Sequence, residues 1–329
     1  MDFGFRTINE FNDYFKDEKT CYTFFEGQRW TDGVTCPHCQ SKKYYKVKPR
    51  GKFQDIPSYR CANKNCDLPF TVRTGTIFEG SKVELRKWLH ACYEITTSKK
   101  GISSVELGTR IGVSQKTAWF MNHRIRTMLV DIQSEILEGI VEVDETYVGG
   151  LNANRHKNKK KVGTQGRSTV DKTPVVGLVQ RGGRVVTFVT KNTDAETLRQ
   201  IIDNNVSDSA TIVTDAYRSY STIGQAYKHV TVKHDDGGYV VKIDNNKFHT
   251  QNIENFWSQL KRGYIGIYHY MSEKHLQKYC NEFAIRYNMR DKSNVARFFH
   301  IVKNSSVPRI KYRILTGPVI DEMPEFIVK

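Results

Sequence analysis

No stretch of this chain approaches the roughly 18 uncharged apolar residues that a membrane-spanning helix needs, which argues against an integral helical membrane protein. The start, Met1-Asp2-Phe3-Gly4-Phe5-Arg6, lacks the basic-then-apolar anatomy of a secretory leader. The expectation is therefore a cytoplasmic, reducing environment, in which cysteines serve as ligands and core residues rather than as disulfides. Cysteine is scarce, with seven in 329 residues, and Cys21, Cys92 and Cys280 are scattered as ordinary buried thiols would be. No internal repeat and no coiled-coil period is present. Acids are also scarce: 35 Asp and Glu face 51 Lys and Arg.

What is present is enough apolar material, 38% hydrophobic and 12% aromatic, to build real cores. The length suits about two domains at roughly 100–200 residues each. The net charge of +16 favours a polyanionic partner, since clustered cations release counterions from phosphates. A basic soluble protein with no such partner is the plain alternative. An anionic membrane surface fits less well, because no long basic amphipathic helix stands out.

Residues 1–35 look helical and aromatic, and 36–80 are punctuated by Cys, Pro and Gly, as in a small loop-rich module. Residues 81–138 read as helical. From Gly139 the texture turns to β-branched runs: Ile140–Val148, then Pro174–Gln180 and Arg184–Thr190 joined by Gly182-Gly183 as a hairpin. Thr193–Val206 reads as a helix capped by Thr193 or Asp194. Ala210–Thr214 and His229–Lys233 are strands, and a long helix begins near Gln251. This order matches an α/β RNase H-like mixed sheet with helices on its faces. The expected domains are 1–80 (helical segment and zinc ribbon), 81–138 (helix-turn-helix), 139–300 (catalytic core) and a tail at 301–329.

Cys36-Pro37-His38-Cys39 and, after 21 intervening residues, Cys61-Ala62-Asn63-Lys64-Asn65-Cys66 can present four thiolates tetrahedrally to one Zn²⁺. A segment this poor in aliphatics needs such a staple. His38, between two ligands, is expected to face solvent. Downstream, Ser103–Gly112 and Ser114–Met128 resemble a helix-turn-helix, with Val105, Leu107, Ile111 and Val113 as its packing stripe and Ser114 as cap. Its second helix carries Gln115, Lys116, Asn122, His123, Arg124 and Arg126, side chains suited to bases and phosphates. The run Arg155-His156-Lys157-Asn158-Lys159-Lys160-Lys161 is expected to be a flexible phosphate-contacting loop.

Asp144 lies inside a run suited to a central strand, Asp215 ends a strand, and Glu254 lies on a helix whose Ile253, Phe256, Trp257 and Leu260 form its buried side. Glu254, Ser258 and Lys261 form a polar strip beside that face. Any one of these acids alone reads as a solvent-facing carboxylate. Together, in this element order, they make an oxygen-rich cage for two Mg²⁺ or Mn²⁺ ions, the arrangement that supports in-line phosphoryl transfer. Glu142 falls on the same strand face as Asp144, and Glu145 on the opposite one.

The strings Val143-Asp144-Glu145-Thr146-Tyr147-Val148-Gly149-Gly150, Thr214-Asp215-Ala216-Tyr217 and Ile253-Glu254-Asn255-Phe256-Trp257-Ser258 through Lys261-Arg262-Gly263 resemble the catalytic motifs of the bacterial insertion-sequence DDE transposases related to Merlin elements. Tyr264–Tyr270, Glu282–Asn288 and Phe70–Phe78 continue the likeness, which spans roughly residues 20 to 290. The resemblance implies a metal triad of Asp144, Asp215 and Glu254, with Lys261 beside the reacting DNA and Arg262 as a further DNA contact. Some relatives use Asn as the third ligand, which leaves Asn252 and Asn255 open. It also implies a nucleoid-associated homo-oligomer acting on element ends and target DNA. The rival readings are a structure-selective nuclease of the same fold and a non-catalytic DNA-binding regulator.

Overall fold

The structure is a computed structural model that describes residues 4–48, 55–129, 135–150, 152, 156–162, 170–233, 238–244 and 246–318. The chain forms two compact units. The first joins Met1–Leu129 to Asp291–Asp321, and the second is built on Val130–Arg290.

In the first unit, α1 (Ile8–Tyr14) and α2 (Glu18–Arg29) precede the three short antiparallel strands β1 (Tyr44–Lys46), β2 (Tyr59–Cys61) and β3 (Pro69–Phe70). Then come α3 (Leu85–Thr97), α4 (Ser104–Ile111) and α5 (Gln115–Arg126). The helix-turn-helix forms where the sequence places it. Ser103 and Ser114 accept first-turn amides of α4 and α5, and Gly112 ends α4 at φ 65°, a left-handed conformation that favours glycine.

The expected domain boundary at residue 300 needs correction. Helix α9 (Asn294–Lys303) belongs to the first unit, and Phe298 and Phe299 close an aromatic cluster with Phe5, Phe11, Phe15, Phe24 and Tyr93. The expected tail includes α10 (Tyr312–Thr316), whose Tyr312 packs on Trp119 and Phe120 of α5. Burying large rings, at about 1.5–3 kcal/mol each, draws this segment back across the sequence.

The second unit holds a five-stranded sheet of β4 (Ile140–Val148), β5 (Thr173–Gln180), β6 (Val185–Val189), β7 (Thr211–Asp215) and β8 (Lys228–Val232), in the order β6-β5-β4-β7-β8. The β6-β5-β4 side is antiparallel and the β4-β7-β8 side parallel, which is the RNase H-like arrangement. Alternation along β4 sends Val141 and Val143 to a core with Leu198 and Ile202 of α6 (Ala195–Asn205), which Asp194 caps. Val148 joins the opposite core, with α7 (Gln251–Gly263) and α8 (Glu273–Asn288). The small ribbon of β9 (Val241–Ile243) and β10 (Asn246–Phe248) leads into α7.

Candidate active site

Strand β4 is the reference element of the site. Its parallel pairing with β7 matches Ile140 to Thr211 and Glu142 to Val213, and that register carried forward puts Asp144 level with Asp215. Helix α7 covers the same face. Ile253, Phe256, Trp257 and Leu260 are buried in the core beneath it, while Glu254 and Lys261 stay exposed. Close approach of α7 requires Gly177, the partner of Asp144 on β5. A methyl group there would lie 2.6 Å from the Trp257 ring and 2.7 Å from Ile253 Cδ1.

That approach brings Trp257 Nε1 to donate to Asp144 Oδ2 at 3.1 Å. Burial first, and then the charges of Glu145, Asp215 and Glu254, push the Asp144 carboxyl up to about 7. Asp215 Oδ1 accepts the Tyr217 amide at 2.9 Å, and the Thr250 hydroxyl donates to Glu254 Oε1 at 2.7 Å. The donor set is all oxygen, which suits a hard divalent cation. Among the described residues, only the four cysteines form a set of three or more candidate ligands within 4.8 Å of one another, so the three carboxylates are not drawn that close.

Asn252 is engaged elsewhere: its Nδ2 donates to Glu142 Oε1 at 2.8 Å. Asn255 is exposed. Glu145 lies on the opposite sheet face, where Tyr220 Oη donates to it at 2.7 Å. Sequence reasoning missed the roles of Trp257, Thr250 and Gly177, and gave Glu142 no function. A second acid on the buried face of a central strand is itself a signal, because such a group needs a partner.

Cys36, Cys39, Cys61 and Cys66 converge, with Sγ separations of 3.9 Å for Cys36 and Cys66 and 3.5 Å for Cys39 and Cys61. Thiolates at about 2.3 Å from a tetrahedral zinc ion lie about 3.8 Å apart, so the cluster fits the ion. His38 is exposed.

Three of the expected DNA-reading residues need correction. Asn122, Arg124 and Arg126 are buried within the first unit. Asn122 Nδ2 donates to the Ile102 carbonyl, and Arg124 stacks over Trp88 and Phe120 and donates to the Glu79 carbonyl. Rings shield that guanidinium, so it serves packing rather than phosphate contact. His123 is buried as well, and Val105, expected in the packing stripe, is 65% exposed. Gln115 and Lys116 are exposed, although Gln115 Nε2 donates to Ser104 Oγ and Lys116 Nζ sits over the Tyr312 ring. In the basic loop, Lys157, Lys160 and Lys161 are exposed, and Lys161 is tied to Asn152 and to the Val170 carbonyl. Arg155 and the side chain of Lys159 lie outside the described residues. Arg262 is exposed at the end of α7.

Residues 136–288 match the ISXO2-like transposase domain, and residues 16–66, with all four cysteines, match the transposase zinc-ribbon domain. A relative described as an uncharacterized protein in transposable element ISH50, from Halobacterium salinarum, is 31% identical over 281 residues, 83% of this chain and 91% of that protein. The chain belongs to the ISXO2-like transposase family. It is a DNA transposase with a zinc ribbon ahead of an RNase H-like catalytic domain. Among solved structures, the Mos1 strand transfer complex is similar over 66% of this chain and 78% of that one, at 12% identity and TM-score 0.27. The Mos1 mariner paired end complex with Mn is similar over 66% and 74%, at 14% identity and TM-score 0.28. Overlaps that slight carry no conclusion for this transposase. No helix among its described residues is long and apolar enough to cross a membrane.

Proposed function

We propose that this transposase cleaves the ends of its element and joins each freed 3′-OH to target DNA, with Asp144, Asp215 and Glu254 as the carboxylate triad. The observation that carries this reading is Asp144: a half-buried acid on the central strand, level with Asp215, raised to about 7 beside the charges of both proposed partners. Such a group gains most from a divalent cation, which removes the repulsion that burial leaves unscreened.

Two Mg²⁺ or Mn²⁺ ions shared among the three carboxylates would supply charge for both the attacking and the leaving oxygen of the phosphoryl transfer. A wider spread than the four cysteines show suits ligands divided between two ions. The chain's own contribution is orientation. Trp257 fixes one oxygen of Asp144, the Tyr217 amide one of Asp215, and Thr250 one of Glu254.

Lys261 and Arg262, exposed on the helix of Glu254, suit the phosphates of the reacting strand. Gln115 and Lys116 are the accessible residues at the start of α5 for reading element ends, and the exposed Lys157, Lys160 and Lys161 suit nonspecific phosphate contact, a role that the sequence run extends to Arg155 and Lys159. Pairing of two ends calls for at least two copies of the chain, acting at the nucleoid.

The test supplies intact element ends for cleavage and, separately, pre-cleaved ends with target plasmid for joining, both with Mg²⁺, to the unaltered protein and to Asp144→Asn, Asp215→Asn and Glu254→Gln. Each variant should lose cleavage and joining while keeping end binding. Cleavage without joined product in the unaltered protein would favour a nuclease. Full joining by Asp215→Asn would refute the triad.

A further inference from the structure

Helix α7 carries Glu254 but is not capped by its own N-cap side chain. Thr250, at the N-cap position, accepts no first-turn amide, and its hydroxyl is spent on Glu254 instead. The first amides of a helix need acceptors. Here His249 Nδ1 accepts the Gln251 amide at 3.4 Å, and the acceptor for the next two comes from the sheet. Glu142 Oε2 accepts the backbone N–H of Asn252 at 2.9 Å and of Ile253 at 3.2 Å, and Glu142 Oε1 accepts Asn252 Nδ2 at 2.8 Å.

Glu142 is 0% exposed, in the central strand. A carboxylate there is costly unless paired and fully hydrogen-bonded. Its charge partner is Arg181, whose Nη2 lies 3.1 Å from Oε1. Arg181 also donates to the carbonyls of Lys247 (2.6 Å) and His249 (3.3 Å), so it holds the segment that enters α7. The His249 ring lies 3.4 Å from the same carboxylate oxygen. With both oxygens saturated by donors and sealed from solvent, Glu142 is unsuited to be a metal ligand itself.

We infer that Glu142 is a positioning residue, which references the helix of Glu254 to the strand of Asp144 through the amides at the start of α7. Asp144 is the next residue on the same face of β4, about 6.6–6.8 Å along the strand, and Glu254 follows Ile253 directly. Apolar packing of Ile253, Phe256 and Trp257 holds α7 onto the sheet but tolerates sliding along the helix axis. Charge-assisted bonds to defined amides are directional and fix that slide. The inference rests on the reading of Glu254 as the third ligand.

The test compares full-length protein with Glu142→Gln, Asn252→Ala and Glu254→Gln. Joining of pre-cleaved ends is measured across a Mg²⁺ titration, with end binding and thermal stability alongside. Glu142→Gln keeps the volume but turns a donor toward the helix amides. The Mg²⁺ concentration for half-maximal joining should rise about 10–100-fold, the usual effect of disturbing a group that orients metal ligands, with end binding unchanged and the rate partly restored at high Mg²⁺. Asn252→Ala removes one strut, leaves the buried charge pair intact, and should move the titration in the same direction by less. It decides the matter if Glu142→Gln does not fold. A lower melting temperature with an unshifted Mg²⁺ midpoint in the variant that folds would overturn the inference, because a purely structural role predicts that result. Joining by Glu254→Gln would sink the reading of the third ligand instead, whatever Glu142→Gln does.

Discussion

Trp257 Nε1 donates to Asp144 Oδ2 at 3.1 Å, so the helix that carries the proposed third ligand also holds the first. Trp257→Phe keeps most of the packing and removes the donor. Hydrogen bonds to charged groups contribute about 1.5–3 kcal/mol, so joining should slow by about tenfold or more. Losing a donor to the ionised carboxylate should also move the acid limb of the joining rate to higher pH. A rate and pH profile equal to those of the unaltered protein would exclude the orienting role.

Gly177→Ala tests whether α7 must lie this close to β5. A methyl 2.6 Å from the indole forces the helix outward. Overpacking of this kind costs about 1–3 kcal/mol, which thermal melts should register. Joining should fall further than folding does, because both Trp257 and Glu254 move with the helix.

Stability in chelator should depend on pH through Asp144. Its carboxyl is held at about 7 in the folded chain, against about 3.9 when unfolded. Between those values the folded state binds the extra proton, so stability falls as pH rises from about 4 to about 7 and stays at the lower level above. Saturating Mg²⁺ should remove much of the fall. Asp144→Asn should lose that part of the slope, seen in denaturant unfolding at pH 5 and pH 8 with and without the ion.

Cys61→Ser should release stoichiometric zinc and disorder the ribbon, read by elemental analysis and by proteolysis within residues 36–66. The catalytic unit has its own core and should keep its folded signals. Retention of one zinc per chain by the variant would count against four-cysteine ligation.

Arg124→Ala and Gln115→Ala should separate packing from DNA reading. Removing Arg124 exposes Trp88 and Phe120 and should lower the melting temperature. Removing Gln115 should leave stability near normal and reduce preference for element ends. Alanine at Lys157 and Lys160 should weaken binding to all sequences and flatten its salt dependence.

Much of the catalytic unit was legible because simple periods govern it, two residues in a strand and 3.6 in a helix. Alternation along β4 alone puts Glu142 and Asp144 on one face and Glu145 on the other, and i, i+3, i+4, i+7 spacing finds the buried side of α7. The zinc cluster was legible because ligand spacing is local. Arg124 was not: a cation near a helix C-terminus reads as surface until Trp88, 36 positions earlier, is known to lie over it. Glu142 was half-legible. The strand shows that it needs a partner, but the helix amides that supply it come 110 positions later.

The return of Asp291–Asp321 to the first unit has a consequence for synthesis of the protein. Phe298 and Phe299 are needed to close the aromatic cluster around Phe5 and Phe11, yet they leave the ribosome only after all of Val130–Arg290. The N-terminal unit therefore cannot complete its core co-translationally until the catalytic domain has been made. A product truncated near residue 290 leaves that core open, a target for proteolysis rather than a stable competitor for element ends.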